Sequence, residues 1–247
     1  MHIPRILLQD RFAAGDILML DKQPAHHIRR VLRLRPGATL KVFDGQGTEH
    51  NAILHEINHG RVTVEIGGKV ACIAEPPHTI TLVQGITRGD RMDFTLQKAV
   101  ELGIAAIQPL WMQRSRKKLD DTRMQKRMRH WQGILVSACE QSGRSTLPEL
   151  LVPADYRNWL DSGQSKGLHI MLHPDGEYTL PELERPRGRI VLLVGPEGGI
   201  SNEETTLATH SGFFSVRLGP RILRTETAAM AALAGMQALW GDFRNRF

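Results

Sequence analysis

Ile190-Val-Leu-Leu-Val-Gly-Pro-Glu-Gly-Gly199 joins an unbroken apolar run to a glycine-rich turn. Five apolar residues in a row leave no polar face, so their strand is expected to be buried on both sides, as in a parallel sheet covered by helices. The Gly-Pro-Glu-Gly-Gly turn follows at the strand's C-terminal end, where open parallel sheets collect ligands. Outward in both directions the same rhythm repeats. Strands are expected at Thr79–Ile86, Ala106–Trp111, Leu168–Leu172 and Phe213–Leu218. Between them the spacing predicts helices at Met92–Leu102 (closed by Gly103), at about 120–142, from the Ser201-Asn-Glu-Glu204 capping box, and at Thr225–Leu239. Alternation of this kind implies an α/β domain with a mostly parallel sheet.

The first 70 residues follow a different grammar. Leu40–Phe43, Ala52–Ile57 and Arg61–Ile66 alternate across the turns Asp44-Gly-Gln-Gly47 and His59-Gly60, which is the pattern of a small β-barrel. One helical piece, His26–Arg35, interrupts it, with Ile28, Val31, Leu32 and Arg35 on the helical period and Pro36-Gly37 as its stop. Residues 72–78 read as a linker, so the expected division is a barrel at 1–71 and an α/β domain at 79–247.

Charge follows the same division. The chain of 247 residues is formally +6, but residues 1–70 hold 10 basic against 7 acidic residues, 86–145 hold 12 against 6, and 146–247 hold 10 against 12. A basic front and a faintly acidic back point to a polyanion partner met by the first 145 residues. No apolar run reaches the roughly 18 residues of a membrane helix, and the N-terminus has too short an apolar stretch for a secretory signal, so a cytoplasmic protein is expected. Two cysteines, Cys72 and Cys139, exclude a disulfide scaffold, and Cys139 falls on an apolar helical face as a buried thiol.

Several motifs fail on context. His55-Glu-Ile-Asn-His59 matches the zinc pattern H-E-x-x-H, but that chemistry needs a helix, and here the pattern lies in alternating strand sequence. His169 and His173 are four apart on a strand with no third ligand nearby, so no metal is expected. The phosphate loop, the dinucleotide fingerprint and the serine elbow are all missing from the sequence. Nucleotide hydrolysis, nicotinamide redox and serine hydrolysis lose their usual support.

Three loops remain, each after an expected strand: Leu172-His-Pro174, Gly195–Gly199, and Leu218-Gly-Pro-Arg-Ile-Leu-Arg-Thr-Glu-Thr-Ala228. Glycines admit the backbone close to a flat ligand and prolines stiffen the turns, so a small-molecule site is expected there. The last two motifs together resemble the knotted SPOUT-class RNA methyltransferases, and among them the family that methylates uridine N3 in 16S rRNA. The likeness extends through Arg88–Phe94, Lys98–Gly103, Ala138–Arg144, Ile3-Pro-Arg5 and His27–Arg33, nearly the whole chain.

The resemblance implies a PUA-like β-barrel followed by a SPOUT α/β domain whose C-terminal segment is tied in a deep trefoil knot. It also implies a homodimer, S-adenosylmethionine as methyl donor, and the 30S subunit's 16S rRNA as partner, with the uridine at position 1498 as target. Carried over residue by residue, it implies a cofactor pocket of Leu172, His173, Pro174, Gly195, Glu197, Gly198, Gly199, Leu218, Gly219, Ile222, Leu223 and Thr227. Arg221, Arg224 and Glu226 are the polar residues of the catalytic loop: an arginine to stabilise the uracil anion, Glu226 to orient it or to accept the proton. RNA phosphates are expected at Arg5, Arg29, Arg30, Arg33, Arg88, Arg91, Arg114 and Arg116, with Lys117 and Lys118 beyond them. A SPOUT enzyme acting on another RNA, or a non-enzymatic RNA-binding protein using only the barrel, remain open at this point.

Overall fold

The structure is a computed structural model describing residues 3–58, 60–115, 118–163 and 166–244. Two compact units divide the chain: Met1–Glu75 with Val136–Leu147, and Pro76–Leu135 with Pro148–Phe247.

The first unit is built on a five-stranded sheet of β1 (Arg5–Leu7), β2 (Ile17–Met19), β3 (Thr39–Phe43), β4 (Glu49–Asn58) and β5 (Arg61–Val70), in the order β1-β3-β4-β5-β2. The expected hairpins are present: β3, β4 and β5 pair antiparallel in succession, and β1 adds parallel to β3. Alternation places Leu40, Val42, Ala52, Leu54, Val62, Val64 and Ile66 inward, where they close a core with Ile6, Ile28 and Leu20. Helix α1 (Lys22–His26) leads into a π-helical turn, His27–Leu32, in place of the expected regular helix. Only Ile28 of that turn is buried and Val31 is exposed; Arg33 enters the left-handed region at φ 52° and ends the helix.

The segment 136–147 belongs to this unit through polar contacts and not through periodicity. The backbone N–H groups of Leu147 and Gly47 donate to the carbonyls of Gly45 and Ser145, at 2.8 and 3.1 Å. Beneath that pairing Arg5 is buried, donating to Glu49, to the Cys139 and Arg144 carbonyls and to Ser145 Oγ. Arg144 in turn pairs with Glu75.

The second unit holds seven parallel strands: β6 (Ile80–Gly85), β7 (Ala106–Trp111), β8 (Glu149–Leu150), β9 (Ala154–Asp155), β10 (Leu168–Leu172), β11 (Ile190–Val194) and β12 (Phe214–Val216). Their order is β12-β10-β11-β6-β7-β8, with β9 also on β7. Strand β11 occupies the middle, and all five of its residues are buried, each worth roughly 1.5–3 kcal/mol of burial. The intervening helices are α2 (Gly89–Glu101), α3 (Asp121–Ser142, of which the part from Val136 on belongs to the first unit), α4 (Tyr156–Asp161), α5 (Asn202–His210) and α6 (Thr225–Leu239). Helix α2 buries Met92, Leu96, Ala99 and Val100, one helical stripe, and packs on α6. The capping box that opens α5 is formed: Ser201 Oγ accepts from Glu204 N at 3.2 Å and Glu204 Oε2 accepts from Ser201 N at 3.0 Å. Among the described residues no helix is long and apolar enough to cross a membrane.

Candidate active site

The loops leaving the C-terminal ends of β10, β11 and β12 enclose a cavity of about 460 Å³. That volume suits a ligand of cofactor size. Its wall contains Leu172, His173 and Pro174 from the first loop, Gly195 and Glu197–Gly199 from the second, and Leu218, Gly219, Arg221, Ile222, Leu223 and Arg224 from the third.

Gly195 shows why the second loop is glycine-rich. A Cβ there would lie 2.7 Å from Ile200 Cγ1 and 3.0 Å from the backbone of Gly199 and Ile200, so the loop can fold back on itself only without one. Gly199 takes φ 73°, a left-handed turn that L side chains disfavour. The floor of the cavity is tied down by Gln84, fully buried at the end of β6. Its Nε2 donates to Gly195 O at 3.3 Å and to Thr225 Oγ1 at 3.1 Å, and Thr225 Oγ1 donates to Gly195 O at 2.6 Å. The second loop, the start of α6 and β6 are thereby joined in one buried network.

Among the described residues four arginines reach this cavity: Arg221 and Arg224, and also Arg91 and Arg114. The latter pair, expected on RNA phosphates, line the wall as well. Arg114 Nη1 donates to Gly198 O at 2.9 Å, and Arg91 lies 3.7 Å from Glu197 and 3.9 Å from Glu226. Glu197 Oε1 also accepts from the Arg88 backbone N at 2.9 Å, which ties the second loop to the start of α2. Thr227 is not brought to the wall; it lies exposed on α6. Ile222 is 86% exposed at the lip, so its side chain is free to meet a ligand or a base from outside.

The other expected RNA contacts fall into three groups. Arg29, Arg30, Arg33 and Arg88 are exposed, as phosphate contacts require. Lys118 is exposed and paired with Asp155 at 3.2 Å. Arg5 is buried, its charge held by Glu49, so it faces the interior and not RNA. Arg116 and Lys117 lie outside the described residues, as does His59, while His55 sits on β4. Cys139 is buried, and burial pushes its thiol up to about 11, the state of an inert core cysteine. Sequence reasoning missed Gln84 and the pocket roles of Arg91 and Arg114. Their only signal was position: Gln84 near the end of a parallel strand, Arg114 in the turn that follows one, and Arg91 in the first turn of the next helix.

A parallel α/β sheet with glycine-turned loops around one cavity, joined to a small barrel, defines a class. Residues 74–237 match the family model described as RNA methyltransferase domain, and residues 20–67 match that of the RNA methyltransferase PUA domain. Ribosomal RNA small subunit methyltransferase E of Buchnera aphidicola (subsp. Schizaphis graminum) is 33% identical, over 98% of both chains. The crystal structure of ribosomal RNA small subunit methyltransferase E from Neisseria gonorrhoeae bound to S-adenosyl methionine superposes with a TM-score of 0.92. It is 44% identical and covers 98% of this chain and 100% of that one. A methyltransferase from Legionella pneumophila, in complex with the bound cofactor SAM, gives 0.94 at 37% identity, over 98% of this chain and 100% of that one. This chain belongs to the ribosomal RNA small subunit methyltransferase E family of RNA methyltransferases.

Proposed function

We propose that the chain transfers the methyl group of S-adenosylmethionine to N3 of one uridine of 16S rRNA in the 30S subunit. The observation that carries this reading is the cavity. Three stiff loops from adjacent parallel strands meet around a space of cofactor size, with backbone exposed by glycine and four arginines at its wall. The residues fit the cofactor: Leu172, Leu218 and Leu223 offer apolar surface to an adenine, while Gly195 and Gly199 let the main chain approach. When bound, S-adenosylmethionine supplies an electrophilic methyl on a sulfonium.

The protein's part is to position and to handle one proton. In-line displacement needs the attacking atom held close and aligned, which is worth several powers of ten in rate. Uracil N3 carries a proton and must lose it to become a nucleophile. Glu226, at the first turn of α6, accepts it; Arg221 or Arg224 stabilises the charge that spreads to O2 and O4. The exposed arginines of the barrel, Arg29, Arg30 and Arg33, hold phosphates, and the target uridine leaves its stack to enter the cavity. A homodimer, a knotted C-terminal segment and a cytoplasmic setting belong to the same proposal and rest on the family resemblance.

Calorimetric titration with S-adenosylmethionine tests the cofactor half of this reading. One site per chain is expected; absence of binding by the folded protein contradicts it.

A further inference from the structure

The turn that follows β7, residues 112–115, is fastened to the second cavity loop at more than one point. It is first closed on itself: Ser115 N donates to Met112 O at 3.0 Å, and Met112 N donates to Ser115 Oγ at 3.1 Å. Gln113 N then donates to Glu204 Oε1 at 2.7 Å. Glu204 is buried, and its other oxygen already serves the α5 capping box, so one carboxylate joins the β7 turn to the end of the cavity loop.

From this base Arg114 reaches across the glycine turn. Its Nη1 donates to Gly198 O at 2.9 Å and lies 3.5 Å from Ile200 O. The stem of the side chain explains the glycine beneath it. Unlike Gly199, Gly198 does not take a positive φ, so its conformation does not demand glycine. Space does: a Cβ there would lie 2.9 Å from Arg114 Cβ and 3.4 Å from Arg114 Cδ. The stem lies against the main chain of the loop, and the charged donor at its tip makes the stronger class of hydrogen bond to a carbonyl. Arg114, Gly198, Gly199 and Ile200 all belong to the cavity wall.

We propose that Arg114 is a positioning residue for the methyl donor, strapping the Gly195–Gly199 loop into the shape that admits S-adenosylmethionine and so setting cofactor affinity rather than RNA affinity. The proposal rests on the function stated above and deepens it. A loop without the strap has to be ordered when the cofactor arrives, and that ordering is subtracted from the binding free energy. A phosphate contact at Arg114 would call for neither the bond to Gly198 O nor a glycine at position 198.

The test combines calorimetric titration with S-adenosylmethionine, RNA binding and steady-state methyl transfer to small ribosomal subunits. It compares the full chain with R114A, R114K, G198A and the double variant R114A/G198A, each checked by thermal unfolding. Arg114 is exposed, so R114A should melt close to the unaltered chain. R114A is expected to weaken cofactor binding by about tenfold or more. Its kcat at saturating cofactor and its RNA affinity should each change less than about threefold, and R114K, which keeps a charged donor, should recover part of the loss. G198A should weaken the cofactor by pushing Arg114 off the loop. In that background, removing the guanidinium should cost less than about twofold, because the contact it makes is already broken. Undiminished cofactor affinity in R114A overturns the proposal, as does a loss confined to RNA affinity or a full, multiplicative loss in the double variant. Absence of cofactor binding by the folded, unaltered chain overturns instead the function itself.

Discussion

Arg5 Nη2 lies 2.8 Å from Glu49 Oε2, and both side chains are almost wholly buried. Burial alone would raise the pKa of Glu49, but hydrogen bonds from Arg5 and Ser145 and the Arg5 charge hold its carboxyl below the usual range. Without Arg5, Glu49 keeps only the partly exposed Lys41, 3.2 Å from its Oε1, as counter-charge, and the Cys139 and Arg144 carbonyls lose their donor. Arg5→Ala is therefore expected to destabilise the protein by about 3 kcal/mol, the lower end for breaking a buried pair. Urea unfolding monitored by tryptophan fluorescence measures it, and the fraction that remains folded should bind RNA as tightly as the unaltered chain.

Glu140 gives the same unit a pH dependence. Burial pushes its carboxyl up to about 7, against smaller lowering contributions from the Leu7 backbone N–H and the Arg5 charge. The folded state thus keeps a proton that the unfolded state has already lost. Its stabilising contribution is fully present below the ordinary carboxylate range and is lost as pH rises to about 7. Glu140→Gln should be the more stable form at pH 8, by on the order of 2 kcal/mol, with little difference at pH 4. Melting temperatures across that range give the comparison.

Gly195→Ala should damage the cofactor loop without unfolding the sheet. The added Cβ would press on the Gly199 and Ile200 backbone. S-adenosylmethionine affinity is expected to fall at least about tenfold, or about 1.4 kcal/mol. Calorimetry measures that loss, and an unchanged circular dichroism spectrum separates it from misfolding.

The barrel arginines make a claim about salt. If Arg29, Arg30 and Arg33 each neutralise a phosphate, their triple alanine variant should bind RNA more weakly. The slope of log affinity against log salt should become shallower by about 2–3. Filter binding between low and moderate salt reads both quantities, and an unchanged slope would remove these residues from the interface.

Local pattern made much of this fold legible. Apolar runs placed β10 and β11 at their observed bounds, the Ser201 capping box marked the start of α5, and Thr225–Leu239 read as one helix, all signals carried within a few residues. The cavity was legible because glycine and proline after a strand leave a visible mark. Arg5 was not, since its partners Glu49 and Ser145 lie 44 and 140 positions away and nothing local distinguishes a buried arginine from an exposed one. The cavity positions of Arg91 and Arg114 were not legible for a related reason. Net charge counts them with the basic surface, whereas only the crossover from β6 and β7 to β11 brings them beside Glu197 and Gly198. The association of 136–147 with the first unit likewise depends on paired loops and on the buried Arg5 donating to the Cys139 and Arg144 carbonyls, which leave no periodic trace.

The most direct test of the central claim is transfer of labelled methyl from S-adenosylmethionine to small ribosomal subunits by the purified chain, followed by mapping of the modified base. Label is expected on 16S rRNA alone, at N3 of a single uridine, and is expected to be lost in Arg221→Ala. Label on another RNA or another base atom, or no label despite measurable cofactor binding, would contradict it.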